Sequence, residues 1–266
     1  MISKDNIQKK TLSIRLSTNG FCFCTYTRDS GSLRYSFYTP DKERSMASNI
    51  EDAIADCPLI RHGEEYEVKA IIESSEYTCI PSEYDIRSDY DNYFRYCFPQ
   101  SRDAEIIANR LNAQECTVLF PVEKSICEAV RKLGNTTFYT PASILMGYLN
   151  YRPMGEERYI FSYLYNDTAI ILSMKENKVE LSNIFSNEEI ENVLFYLLSI
   201  WKEQRLSQTD DTLYLCGDNA VERMSQLAGK FIKKIKRINP NELFSPSLLN
   251  RMEGIPFDLQ ALILCE

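Results

Sequence analysis

Glycine is scarce in this sequence of 266 residues, which contains 9 glycines where average usage of about 7% would supply roughly 19. No two glycines lie closer than eight positions apart. This spacing excludes the G-x-G-x-x-G dinucleotide and kinase loops, the G-x-x-x-x-G-K P-loop and the G-x-S-x-G nucleophile elbow. The common loops that bind phosphate through glycine pairs are therefore missing.

Histidine is nearly absent, since His62 is the single one. This count excludes zinc motifs with paired histidines and leaves one possible base for a Ser-His or Cys-His nucleophile. His62 lies in a polar Arg61-His62-Gly63 turn, which favours a solvated loop residue. The alternative is a thiol enzyme in which His62 activates a cysteine, and Cys57 is the nearest in sequence.

The chain also lacks a surplus of positive charge and long apolar segments. Its net charge of −8 and pI near 5.0 disfavour binding to nucleic acid. The longest apolar stretch, 193–201, contains Ser199 and is too short to span a bilayer. Residues 1–10 show no signal-peptide pattern, so we expect a cytoplasmic protein without a membrane span.

The 9 cysteines form no C-x-x-C pair, which favours free thiols in a reducing compartment. Cys22 and Cys24 share one face of a predicted strand. With no second Cys or His pair nearby, this pattern favours core packing over a soft-metal site.

Hydrophobic alternation predicts two similar series of elements separated near residues 151–155. Each begins with three strands joined by tight turns and continues with alternating helices and strands. The predicted strands of the two meanders are 11–16, 21–27 and 33–39 in the first half and 159–164, 168–174 and 179–184 in the second. An ungapped comparison at an offset of 147 places Asn19 on Asn166. The plan predicts an α/β protein with two mixed β-sheets flanked by helices and a cleft between the halves.

We therefore expect a first half at 1–155 and a second half at 156–266. A segment at about 83–121, rich in tyrosine and aspartate at its start, is interpreted as an inserted subdomain within the first half. Periodicity predicts a helix over 122–133, with Gly134 in the position that often ends a helix.

This duplicated plan resembles the actin, sugar-kinase and heat-shock-chaperone ATPase superfamily, whose fold is ribonuclease H-like. More narrowly, the segments Leu12-Ser13-Ile14-Arg15-Leu16-Ser17 and Tyr77-Thr78-Cys79-Ile80-Pro81 resemble those of an uncharacterised family of bacterial proteins with a degenerate actin-like fold. That family is similar to the actin-like scaffold proteins of pilus and type II secretion machinery.

The resemblance also implies where a nucleotide site would lie. ATPases of the superfamily carry an aspartate for Mg²⁺ and a glycine at the first meander turn, where this chain has Arg15 and Ser17. Their second phosphate turn has an aspartate followed by glycines, whereas this chain has a glycine-free turn in which Asp167 is displaced by five positions. The vestigial cleft candidates are Ser17, Thr18, Asn19, Ser162, Asn166, Asp167 and Gly217.

These losses predict a protein without catalytic residues, cofactor or metal that serves as an interaction or assembly module. Its partner would be another protein or a second copy, bound through 83–121. The alternative is a residual nucleotide-binding protein or weak ATPase that uses ATP and Mg²⁺ in the cleft. A basic cluster at 230–237 is interpreted as a helix end with a solvated face, with an anionic partner as its alternative.

Overall fold

The computed structural model describes residues 10–17, 19–27, 32–61, 63–100, 103–238 and 254–264. Thr18, His62 and Cys265 lie outside these residues. The chain divides into two compact units, each discontinuous in sequence. Unit 1 comprises Met1–Glu73, Asp103–Glu105 and Val122–Tyr139, and unit 2 comprises Ser74–Arg102, Ile106–Pro121 and Thr140–Glu266. The domain boundary expected at residue 155 stays a prediction.

The described strands and helices follow the alternation expected of an α/β protein. The strands are β1 (Lys10–Ser17), β2 (Gly20–Thr27), β3 (Ser32–Tyr38), β4 (Tyr66–Ile72), β5 (Thr78–Pro81), β6 (Ala104–Leu111), β7 (Cys116–Glu123), β8 (Gly134–Tyr139), β9 (Arg158–Tyr165), β10 (Thr168–Lys175), β11 (Lys178–Ser186), β12 (Thr212–Gly217) and β13 (Lys234–Arg237). The helices are α1 (Met46–Asp56), α2 (Tyr90–Cys97), α3 (Lys124–Arg131), α4 (Pro141–Tyr151), α5 (Ile190–Glu203), α6 (Ala220–Ala228) and α7 (Phe257–Leu264).

Unit 1 contains a five-stranded sheet in the order β3-β2-β1-β4-β8. The first three strands form the predicted antiparallel meander, and β4 and β8 join it in parallel. Strand β1 is buried on both faces. One face carries Leu12, Ile14 and Leu16, and the other carries polar residues that include Arg15 and Ser17. A buried polar face is unusual for a central strand, so its side chains need partners.

Unit 2 contains a second five-stranded sheet with the equivalent order β11-β10-β9-β12-β13. This equivalence confirms the predicted duplication of two mixed sheets with helices. Helices α5 and α6 pack on one face of the second sheet around Leu164, Leu213 and Trp201. The hairpins pair Ser17 with Gly20 and Tyr165 with Thr168. Asn19 therefore corresponds to Asp167, one residue beyond its place in the ungapped comparison.

A third, three-stranded sheet in the order β5-β7-β6 forms the small subdomain with α2. Its apolar core contains Ile80, Tyr90, Phe94 and Leu119. The subdomain sheet begins with β5, which lies before the segment expected at 83–121. Strand β5 has four residues, too few for a clear alternation.

Two other elements differ from expectation. Gly134 is the first residue of β8 and pairs with Tyr66, whereas the sequence pattern had placed it at a helix end. A Cβ there would lie 2.1 Å from the Tyr66 carbonyl oxygen, so the close strand contact requires glycine. Helix α7 was not predicted. Residues 257–263 of this helix are all buried, and Phe257 packs edge-on against Tyr148 of α4 at 5.0 Å between ring centroids. A helix buried all round has no amphipathic period.

Among the described helices, none combines the length and apolar character needed to cross a membrane.

Candidate functional site

The turn between β9 and β10 is one of the two places where the resemblance puts a phosphate. Here the backbone N–H of Asn166 donates to Oδ2 of Asp218 at 2.8 Å. Asp218 follows β12 directly, and its own N–H donates to the Leu164 carbonyl at 2.9 Å. Its other carboxylate oxygen, Oδ1, accepts from the N–H of Ala220 at 2.9 Å, at the start of α6. One carboxylate therefore bonds both the hairpin turn and the helix start.

The carbonyl groups of the same turn are also bonded within unit 2. Asn187 donates through Nδ2 to the Asn166 carbonyl at 3.1 Å and through its N–H to the Asp167 carbonyl at 2.7 Å. Asn166 has a φ of 50°, in the left-handed region that asparagine tolerates better than most residues. The Asp167 side chain is exposed. The turn is thus held by Asp218 on its amide side and by Asn187 on its carbonyl side.

The backbone structure requires a glycine at position 217. It pairs with Leu164 between parallel strands, has a φ of 138°, and a Cβ there would lie 1.7 Å from the Leu164 carbonyl oxygen. The glycine is needed for the approach of β12 to β9. Its presence is therefore explained without a nucleotide.

Ser162 lies away from the turn, in the middle of β9. It is fully buried on the same strand face as Ile160 and Leu164, which belong to the core under α5 and α6. Its hydroxyl has no hydrogen-bond partner among the described residues. The structure thus brings together Asn166, Asp167 and the Gly217-Asp218 segment, and it leaves Ser162 in an apolar core.

The turn between β1 and β2 is the equivalent place in unit 1. The Ser17 hydroxyl donates to the Gly20 carbonyl at 2.6 Å, which closes the hairpin. Asn19 is exposed at the turn, and Thr18 lies outside the described residues. The Ser17 hydroxyl hydrogen is therefore used within the hairpin itself.

Arg15 stands where the resemblance implies a Mg²⁺-binding aspartate, and the structure shows its partner. The Arg15 guanidinium lies 3.5 Å from Oε2 of Glu73, and both side chains are buried, with exposed fractions of 4% and 7%. Glu73 follows β4 directly, and its N–H donates to the Leu16 carbonyl at 2.9 Å, which sets it beside β1. A buried cation and its counter-ion therefore lie where the resemblance implies a metal-binding carboxylate.

Sequence reasoning missed Glu73 and Asp218. Each is an acidic residue that directly follows a buried parallel strand, β4 or β12. That signal was readable in the sequence, but a single acid after an apolar strand is common. Which acid bonds a neighbouring turn depends on the register between strands, which the sequence pattern does not give.

Two members of the basic cluster form ion pairs within unit 2, and a third donates to the backbone. Lys236 pairs with Glu156 at 2.8 Å, Arg237 pairs with Glu222, and Lys234 donates to a backbone carbonyl at 2.8 Å. Cys22 and Cys24 are buried in the core of unit 1, as expected. The thiol hypothesis for His62 concerns a residue outside the described part of the chain.

Comparison with known proteins shows to which family this chain belongs. Residues 1–235 match the family described as "Protein of unknown function (DUF3822)". The chain belongs to the DUF3822 family. A search among curated proteins gave no match to the sequence.

Solved structures establish the fold of this DUF3822 protein. It is similar to a Bacteroides thetaiotaomicron protein described as having an actin-like ATPase fold and unknown function, with 24% identity, a TM-score of 0.83 and 100% of both chains covered. It is also similar to a chain of the PilM–PilN type IV pilus biogenesis complex, with 11% identity, a TM-score of 0.59, and coverage of 96% of this chain and 97% of that chain. The fold is actin-like, as the resemblance implied.

Proposed function

We propose that this protein is a non-catalytic interaction or assembly module built on an actin-like frame. The observation that carries the proposal is the hydrogen bond from the Asn166 N–H to the Asp218 carboxylate at 2.8 Å. Backbone N–H groups at such turns bind anions well, including phosphate. In this protein one of its own carboxylates already occupies the amide that a phosphate would approach.

The unit 1 turn supports the same proposal. Mg²⁺ prefers oxygen ligands such as carboxylates, and a nucleotide reaction relies on the metal to neutralise developing charge. Arg15 supplies a positive charge at this place, and Glu73 balances that charge inside the unit. An arginine at this position repels Mg²⁺, and the Glu73 carboxylate is paired with Arg15 instead of a metal.

Calorimetric titration of the full chain with Mg-ATP tests the loss of nucleotide binding. We expect no binding tighter than about 100 μM. The variant D218A is the matched comparison, because it removes the carboxylate that accepts from the Asn166 N–H and changes no other residue. The rival function, a residual nucleotide-binding protein or weak ATPase, would be favoured by wild-type binding tighter than this limit that D167A abolishes.

The proposed contact surface is the outer face of the small subdomain. Tyr84, Ile86 and Tyr96 are 57%, 52% and 91% exposed in this subdomain, and Glu83, next to Tyr84 in sequence, is also exposed. Tyrosine is enriched at protein interfaces, and grouped exposed apolar side chains indicate interaction sites. The Glu83 carboxylate favours a partner segment with positive charge, whereas Asp91 is already paired with Arg95 at 2.7 Å. A chain of the same fold in the PilM–PilN complex gives one precedent for use of this frame in assembly.

Point substitutions test this surface better than deletion of the whole segment. Gln114 is buried and holds the subdomain on the β10–β11 hairpin by donating to the Asn177 carbonyl at 3.0 Å and accepting from the Val179 N–H at 2.9 Å. Deletion would expose that hairpin. Substitution of the exposed tyrosines leaves this contact intact.

We expect the double variant Y84S/Y96S to lose self-association, or a partner captured from the native cell extract, while it keeps the wild-type circular dichroism spectrum. Y151S is the matched control, because Tyr151 is 61% exposed at the end of α4. Complexes that survive Y84S/Y96S unchanged would refute this placement. Complexes lost equally in Y151S would also refute it.

A further inference from the structure

Two cysteines lie side by side in the subdomain sheet. Strands β5 and β7 are antiparallel, and their register pairs Pro81 with Cys116 and Cys79 with Val118. Cys79 and Cys116 are therefore diagonal neighbours on one face of the sheet. Ile80 and Leu119, which pack with α2, belong to the opposite face.

The two thiols are in hydrogen-bond contact, and their environments differ. The contact with Cys116 raises the pKa of Cys79, and burial adds to the rise. The same hydrogen bond lowers the pKa of Cys116, and the positive charge of Lys178 lowers it further. Cys79 is thus the thiol that donates, and Cys116 is the sulfur that carries negative charge more readily.

The position of the pair also favours access. Both residues are half-buried, whereas Cys22, Cys24, Cys57, Cys127 and Cys216 are buried. Lys178 begins β11, and its ammonium lies 3.1 Å from Oε1 of Glu115, next to Cys116 in sequence. The thiols therefore lie beside the place where the subdomain contacts the second sheet.

We propose that Cys79 and Cys116 form a redox site that hydroperoxides oxidise to an intrachain disulfide. The Cys116 thiolate attacks one peroxide oxygen, the O–O bond breaks, and Cys116 becomes a sulfenic acid while the released hydroxide takes a proton to form water. Cys79 then loses its proton and attacks the Cys116 sulfur, the S–O bond breaks, and a second water leaves as the S–S bond forms. With hydrogen peroxide, two thiols lose two electrons and two protons, and the peroxide becomes two waters.

The disulfide would tie β5 to β7. Strand β5 has four residues and lies at the edge of its sheet, so it can move enough to bring the two sulfur atoms to the S–S bond length of about 2.05 Å. Oxidation would then fix the segment that enters the subdomain. This inference does not depend on the proposed interaction function.

Peptide mass mapping of the reduced full chain after treatment with equimolar hydrogen peroxide tests the site. We expect a Cys79–Cys116 disulfide to form before exposed Cys97 is oxidised. C79S should accumulate a Cys116 sulfenic acid that dimedone captures, and C116S should give no such product at Cys79. C97S is the matched control and should keep the wild-type disulfide yield.

Lys178 gives a second, independent readout, because K178M keeps both thiols. We expect Cys116 oxidation in K178M to be slower by about threefold or more. The wild-type measurement decides the matter even if C79S or C116S fails to fold. Oxidation of Cys116 no faster than that of Cys97, or its passage to sulfinic acid without a disulfide, would overturn the proposal.

Discussion

Removal of one member of the Arg15–Glu73 pair should destabilise unit 1 strongly. At 3.5 Å and an effective dielectric constant of about 20, the two charges attract by about 5 kcal/mol. Breaking such a buried pair leaves an uncompensated charge and typically costs about 3–5 kcal/mol. We therefore expect E73M and R15M each to cost about 3 kcal/mol. The double variant R15M/E73M should cost much less than the sum, because no charge then remains buried.

A second ion pair in unit 1 provides the control. Lys132 and Glu51 lie 2.5 Å apart, closer than the first pair, but their side chains are 66% and 48% exposed. Exposed pairs contribute about 0–1 kcal/mol. A double-mutant cycle on Lys132 and Glu51 should therefore give a small coupling free energy. The comparison separates the effect of burial from that of distance.

Hydrogen exchange with peptide resolution is the suitable assay, because Trp201 is the single tryptophan and lies in unit 2, so its fluorescence does not report on unit 1. A loss of about 3 kcal/mol should reduce protection of β1 and β4 amides by about 150-fold. A coupling free energy below about 1 kcal/mol between Arg15 and Glu73 would refute the argument that they form a buried, mutually dependent pair.

Three further predictions concern unit 2. G217A should cost about 3 kcal/mol or more in thermal unfolding, because its Cβ would overlap a carbonyl oxygen of β9. G147A is the control and should stabilise α4 by up to about 1 kcal/mol, because nothing lies within 4 Å of the added Cβ outside the helix's own backbone. Equal effects of the two substitutions on stability would contradict this prediction. Q114A should cost about 1–3 kcal/mol and increase hydrogen exchange in the β10–β11 hairpin, and unchanged exchange there would count against the contact. The hydrogen bond from Tyr90 lowers the pKa of Asp85 in the folded protein. The ionised Asp85 carboxylate therefore stabilises the fold fully above the unfolded pKa of about 3.9, and this stabilisation is lost as the pH falls through the lower pKa of the folded state. D85N should reduce this acid-dependent loss in circular dichroism melts between about pH 5 and pH 2.5, and an unchanged acid limb would contradict the assignment.

The fold was largely predictable because short segments of strand-forming residues are separated by polar turns, which contain Asn19 in the first half and Asn166 in the second. The repeated plan of a three-stranded meander followed by alternating helices and strands predicted two mixed sheets, and the structure confirms both. The sequence did not predict helix α7, because Asp258 and Gln260 are as deeply buried as its apolar residues. The helix therefore has no solvent-facing polar side that would give an amphipathic pattern. Gly134 was misassigned because a glycine after an amphipathic segment suits a helix end as well as a tight strand contact.

The candidate site was predictable only as a pair of turns. The sequence shows that the expected aspartate and glycines are missing, and the structure shows what bonds the turns in their place. Those partners, Glu73 and Asp218, come from strands far along the chain. Their choice depends on parallel strand register, which local patterns do not encode.

The division of the chain into units has a consequence for synthesis on the ribosome. The polypeptide passes from one unit to the other five times, and the fifth passage begins its last segment at Thr140. Strand β8, which lies at the edge of the first sheet, leaves the ribosome after the whole subdomain. The amino-terminal half therefore has no complete sheet until the subdomain has been made. An expression fragment cut at any single point would leave one of the two units without part of its chain.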